Sequence, residues 1–349
     1  MSMSNLATRI LDEIQQELKV DEQWTDRRSN SLMLIADKLE QTFSVSEPFS
    51  YLDNEAVAVE SRIPIARNVG RPGEQVCGLL SQFNYANIGS AYVFDPERKE
   101  VFSTLKIAAT EKDLGERCWQ TRIFAMFQLI MAEHQAIHIA GPISGEVAKA
   151  AKTRPQPDPM MNSFMQFITS RPRAENRFEN LELFGQAAEY CKKIGGVADD
   201  PDPWGSTMEF RFSDSSTTMA SLVSNLEHPT FGRGLRTFLA LPISYKTNAE
   251  ASLQANMLNL REVTGNENGD FLGAWCIDQR TENLSPVFSS YIPNSLFAES
   301  WMSKVVVQLG LRARNCERWW FPDTPFSKTT LEVVMGRKGQ VHVGGDTPH

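Results

Sequence analysis

The sequence predicts an α+β protein built as two similar domains. Three observations carry this. The chain has 349 residues, enough for about two domains. Stretches with helical spacing alternate with strand-like runs and tight turns. The second half also replays the order of the first at a nearly constant offset.

The first half begins with Leu6, Ile10, Leu11, Ile14 and Leu18, which predict an amphipathic helix over 5–19. Leu32, Ile35, Ala36, Leu39 and Phe43 predict a second helix over 27–43, stopped at Glu47-Pro48. Residues 55–65 read as a strand. Val76, Leu79, Leu80 and Phe83 stripe a helix over 74–84. Residues 90–95 and 100–108 read as strands around the turn at 95–99. A long helix over 112–138 completes this half. Gly141, Pro142, Gly145, Pro155, Pro157, Pro159 and Pro172 then mark 139–175 as a connection, with room for a short helix near 160–168. A helix over 176–194 ends at Gly195-Gly196, and 199–203 is a loop.

The repeat has five landmarks in the same order. Pro48 recurs as Pro229, 181 residues later, and Ile63-Pro64-Ile65 as Leu241-Pro242-Ile243, at 178. Val76, Leu80 and Phe83 recur as Leu253, Met257 and Leu260, at 177. Asp95 recurs as Asp278, at 183, and Trp119 as Trp301, at 182. The offset grows where the second copy carries an extra loop at 264–269. Each copy reads helix, strands, helix, two strands, long helix. Strand runs joined by hairpins favour an antiparallel sheet with helices on one face. The domain reading is 1–138, a connection at 139–175, a second copy at 176–328 ending in a helix over 294–317, and a hairpin and loose tail at 329–349. Two copies in one chain imply an intramolecular pseudodimer, and so a monomer as the expected state. Its expected inter-copy or partner contact is the shorter internal helix of each copy, Leu80 and Phe83 against Met257 and Leu260.

Phe83-Asn84 before the hairpin, and the succession strand, Asp95 turn, strand, long helix, resemble the type III secretion chaperone-like fold, including its YbjN-like branch. The resemblance extends over about 27–138 and 205–317. It implies a small α+β domain that dimerises and binds extended segments of other proteins, without chemistry. This chain departs from a single-domain member in carrying both copies, extra helices at 5–19 and 176–194, and a C-terminal extension.

Composition and motifs narrow the function classes. The net charge of −8 argues against nonspecific nucleic-acid binding. No run approaches the ~18 apolar residues of a membrane span, and no signal peptide is apparent at the N-terminus. Cys77, Cys118, Cys191, Cys276 and Cys316 are widely spaced in apolar contexts, as expected of reduced, buried thiols in a cytoplasmic protein. His134 and His138 have a metal-sharing spacing but no third ligand. Gly70-Arg71-Pro72-Gly73 and Gly232-Arg233-Gly234 match no phosphate cradle, and Pro201 and Pro203 break the calcium-loop spacing of Asp199, Asp200 and Asp202. Lys304, Arg312, Arg314 and Arg318, with Arg337 and Lys338, lie near Trp319-Trp320-Phe321, a pattern that suits either base stacking or a packed helix end. No catalytic, cofactor or metal residue is assigned. The expected function is a non-enzymatic, protein-binding or chaperone-like scaffold. The alternatives are a hydrolase or transferase with a site between the copies, and a regulatory subunit.

Overall fold

The computed structural model describes residues 3–18, 21–36, 38–51, 54–152, 176–265, 269–278 and 284–320. The expected helix at 160–168 and the hairpin at 331–343 lie outside these residues.

In the first half, α1 (Met3–Leu18) buries Leu6, Ile10, Leu11, Ile14 and Leu18 along one face. The region 27–43, expected as a helix, is instead a hairpin of β2 (Ser31–Ala36) and β3 (Leu39–Val45), preceded by β1 (Thr25–Arg27). Leu39, Gln41, Phe43 and Val45 are buried while Glu40, Thr42 and Ser44 are partly exposed, a period of two. The chain reverses between Ala36 and Leu39, which resets the phase and lets two strands imitate one helical stripe. β4 (Phe49–Tyr51) and the long β5 (Asn54–Arg67) follow, then α2 (Gly73–Ala86), β6 (Ala91–Asp95), β7 (Glu100–Thr110) and α3 (Leu114–Ala140). At Gly89, between α2 and β6, φ is +57° and a Cβ would stand 2.3 Å from the Phe124 ring, so only glycine fits. β8 (Glu146–Val147) returns to pair with the end of β5.

The second half contains α4 (Leu181–Lys193), β9 (Val197–Ala198), β10 (Gly205–Ser213), β11 (Ser216–Val223), β12 (Gly234–Ala240), α5 (Asn248–Thr264), β13 (Ala274–Ile277), β14 (Pro286–Pro293) and α6 (Ser300–Trp320). Thr247 and Glu250 form a reciprocal capping box at the start of α5.

Both sheets are antiparallel. Their strand orders are β1-β2-β3-β5-β7-β6 and β9-β10-β11-β12-β14-β13, with β4 and β8 added beside β5 in the first only. The orders correspond strand for strand. In each half a helix links the third strand of this order to the outermost one (β5 to β6, β12 to β13), and a long helix closes the half. The fold is therefore α+β, with two antiparallel sheets each accompanied by helices.

One apolar core runs through both halves. Phe127 of α3 meets Phe231 edge-on at 4.7 Å, and Phe124 meets Trp301 of α6 at 6.1 Å. Two further clusters lie under α1 and α2 in the first half. A polar ladder crosses the interior there. Gln41 Nε2 donates to Ser61 Oγ (2.9 Å), Ser61 Oγ to Gln128 Oε1 (2.7 Å), and Gln128 Nε2 to Ser103 Oγ (3.3 Å). These buried amides and hydroxyls satisfy one another, which fixes the register of α3 on β3, β5 and β7.

Candidate functional site at the junction of the halves

α2 and α5 lie against each other and between the outermost strands β6 and β13. An outermost strand leaves half its main-chain groups unpaired, and here the two helices satisfy them with side chains. Within the first half, Asn84 exchanges two hydrogen bonds with the main chain of Tyr92 (2.9 and 2.7 Å). Asn259 does the same for Trp275 in the second (2.9 and 2.8 Å). Across the junction, Asn256 of α5 exchanges two 2.9 Å bonds with Phe94 of β6. Ser81 Oγ of α2 accepts from the Ile277 N–H of β13 (2.8 Å). Each helix thus clasps both its own strand and the opposite one.

The C-terminal ends of these helices carry unpaired carbonyls and partial negative charge. Basic groups from the opposite half meet them. Lys106 of β7 donates to the Glu262 and Gly265 carbonyls at the end of α5. Arg236 of β12 donates to the Tyr85 carbonyl of α2 (2.6 Å), and His228 Nε2 lies 2.8 Å from the Ala86 carbonyl. The Thr230 and Phe231 N–H groups both point at His228 Nδ1, so Nδ1 accepts and Nε2–H donates. Burial, reinforced by the Arg236 charge, pushes the imidazole down to about 4 against the opposing Ala86 hydrogen bond, which leaves it neutral.

A buried ionic cluster closes the other side. Arg117 of α3 pairs with Asp113 and with Asp270, both at 3.0 Å, while Asp270 Oδ1 accepts the Ala108 N–H (2.8 Å). Arg312 of α6 pairs with Glu262 of α5 at 3.0 Å and donates to the Asp270 carbonyl. The Glu262 side chain is only 1% exposed, and Trp275 Nε1 also donates to it (3.2 Å). Burial would lower the Arg117 pKa, but Asp270 and Asp113 outweigh it and raise it. Burial would raise Asp113, but hydrogen bonds from Thr110 and Arg117 hold it below the usual range. Burial raises the Tyr51 phenol, and Asp270 adds to this. Beside the cluster, Phe288, Trp301, Lys304, Gln308 and Arg312 line a cavity of about 40 Å³. That is room for water, well below the few hundred cubic ångströms of a metabolite site.

The sequence-predicted contact residues distribute differently. Leu80 is buried in the first half's own core, and Phe83 packs there edge-on to Tyr92 at 6.2 Å. Leu260 packs on the shared core. Met257 is 60% exposed. The helices do meet, but the apolar stripe of α2 serves its own sheet, and Ser81 and Asn256 reach across.

Other candidates are equally placed. His134 and His138 are exposed, and among the described residues no trio of His, Cys, Asp or Glu is arranged to hold a metal. All five cysteines are buried and free. Burial pushes the Cys77 and Cys118 thiols up to about 12 and Cys191 to about 11, the reverse of nucleophile activation. In the basic stretch, Arg312 is buried against Glu262, Lys304 pairs with Glu116, and Trp319 stacks under Arg261 at 4.4 Å. The packed-helix reading holds for these residues; Arg337 and Lys338 lie outside the described residues. Asp199, Asp200 and Asp202 line a surface trough with Trp204.

The sequence reading missed Ser81, Asn256, Asn259, Glu262 and Asp270. The available signal was polar residues within apolar helical stripes, with asparagine, a poor helix former, in matching helices of the two halves. No family model, curated protein or solved structure matches the chain. No helix among the described residues is long and apolar enough to cross a membrane. Fold and site together define a class: an α+β protein of two like-ordered sheets joined through a polar, helix-lined junction.

Proposed function

We propose that the chain is a non-enzymatic, chaperone-like scaffold of the cytoplasm that engages an extended segment of another protein. In this reading the two halves form an intramolecular pseudodimer, with the α2–α5 junction in the place of a dimer interface, and the chain acts as a monomer. The observation that supports it most is the exposed apolar face beside β10. β9 pairs with Met208 and Glu209 of β10. The adjoining face exposes Val197, Trp204 (49%) and Met219 (50%). Next to them is a trough of about 350 Å³ floored by Thr207, Ser221 and Val223. An extended segment laid along the trough would gain apolar contacts across the face.

Affinity capture from the native cell tests this. The intact chain should retain a defined protein. Trp204→Glu with Met219→Glu, both on the surface, should reduce the yield at least about tenfold. A partner held equally by the double variant, or a clean capture with only a small molecule bound, would count against the reading.

A further inference from the structure

Among the buried arginines, Arg117 and Arg312 face carboxylates, and Arg236 faces carbonyl and hydroxyl groups. Arg314 of α6 does not. It is 4% exposed, and among the described residues its Nε and Nη1 have no hydrogen-bond partner. Its position follows from the helix. Gly310 faces the end of α4 and β10, where a Cβ would stand 2.7 Å from Ile194 and 3.2 Å from the Phe210 ring. Arg314 is one turn further on the same face of α6, past the end of α4. Arg318, a turn beyond it, is exposed. Glu317 is buried nearby and offsets the charge only in part.

A desolvated guanidinium with only a partial counter-charge and with Nε and Nη1 unbonded is costly to bury. Burial and Arg318 push Arg314 down only to about 10, so it keeps its proton at neutral pH. We propose that Arg314 and Arg318 form an oxyanion site, Arg318 at the mouth and Arg314 at the floor, for a carboxylate or phosphate group. Two arginines one turn apart suit such a ligand, since guanidinium donors complement planar or tetrahedral oxyanions. The site is separate from the β10 face and does not depend on the function proposed above.

Thermal unfolding of the full chain tests the site, in sodium phosphate, sodium acetate and sodium chloride at equal ionic strength. Phosphate or acetate should raise the midpoint by about 2–4 °C over chloride. Phosphate alone identifies a phosphate site, and acetate alone a carboxylate site. The excess should vanish in Arg314→Met and fall by about half in Arg318→Gln, a comparison that removes the general stabilising effect of phosphate. Equal midpoints in all three salts, or the same excess in Arg314→Met, would overturn the proposal. If Arg314→Met does not fold, phosphate titration of the intact chain should shift the Arg314 Nε–H resonance, and an unmoved resonance has the same force.

Discussion

Replacing Asn256 by alanine isolates the clasp across the junction. The side chain holds both outward main-chain groups of Phe94 at 2.9 Å, and all three groups are buried. Alanine leaves one N–H and one C=O without partners in a site closed to bulk water. Each stranded group costs about 1–3 kcal/mol, so the expected loss is about 3 kcal/mol, allowing for partial relaxation. Asn84→Ala strands the same two groups of Tyr92 within the first half and sets the scale. The assay is urea unfolding followed by tryptophan fluorescence and far-ultraviolet circular dichroism. Because one core spans both halves, both variants should lower the midpoint of a single transition by similar amounts. A loss below about 0.5 kcal/mol for Asn256→Ala, with the full loss for Asn84→Ala, would refute the reasoning, since the junction would then tolerate an unclasped strand.

Two further predictions concern pH and packing. His228 is held near 4 against an ordinary 6.5, so the unfolded chain binds the extra proton first as acid is added. Its contribution, about 3 kcal/mol, is fully present above pH 6.5 and is lost between there and about pH 4. Glu60, raised by burial, acts in the opposite sense in acid, so the direct check is the His228 ring titration by NMR; a midpoint near 6.5 would remove the effect. Leu80→Asp should cost at least about 3 kcal/mol in urea unfolding, and Met257→Asp less than about 0.5 kcal/mol, because the first is buried and the second 60% exposed; equal losses would refute this contrast.

Periodicity revealed most of the helices and β6–β7, because long apolar stripes leave few alternatives. It failed at 27–43, where a reversal hidden between Ala36 and Leu39 joined two strands into one apparent stripe. The buried side chain of Gln41 was the missed clue, since it makes sense only opposite Ser61 and Gln128 in a sheet. The like strand order of the two halves agrees with the order of the landmarks, but Trp119 is 41% exposed and Trp301 buried, so that pair does not correspond. The junction was not legible, because its chemistry lies in pairs far apart in the chain. Asp270 sits in a loop and acquires meaning only beside Arg117, and Asn256 only beside Phe94. Spacing within one segment carries no record of such partners.

The extra strands β4 and β8 beside β5 have a consequence for stoichiometry. A pair of identical subunits would display every surface twice. Among the described residues the two sheets share an order but not a margin: one is widened by β4 and β8, while the other carries the two-residue β9. A substitution in either half stays in that half, so its outer surface changes without altering the other. A partner that selects the β10 side should therefore saturate at one molecule per chain.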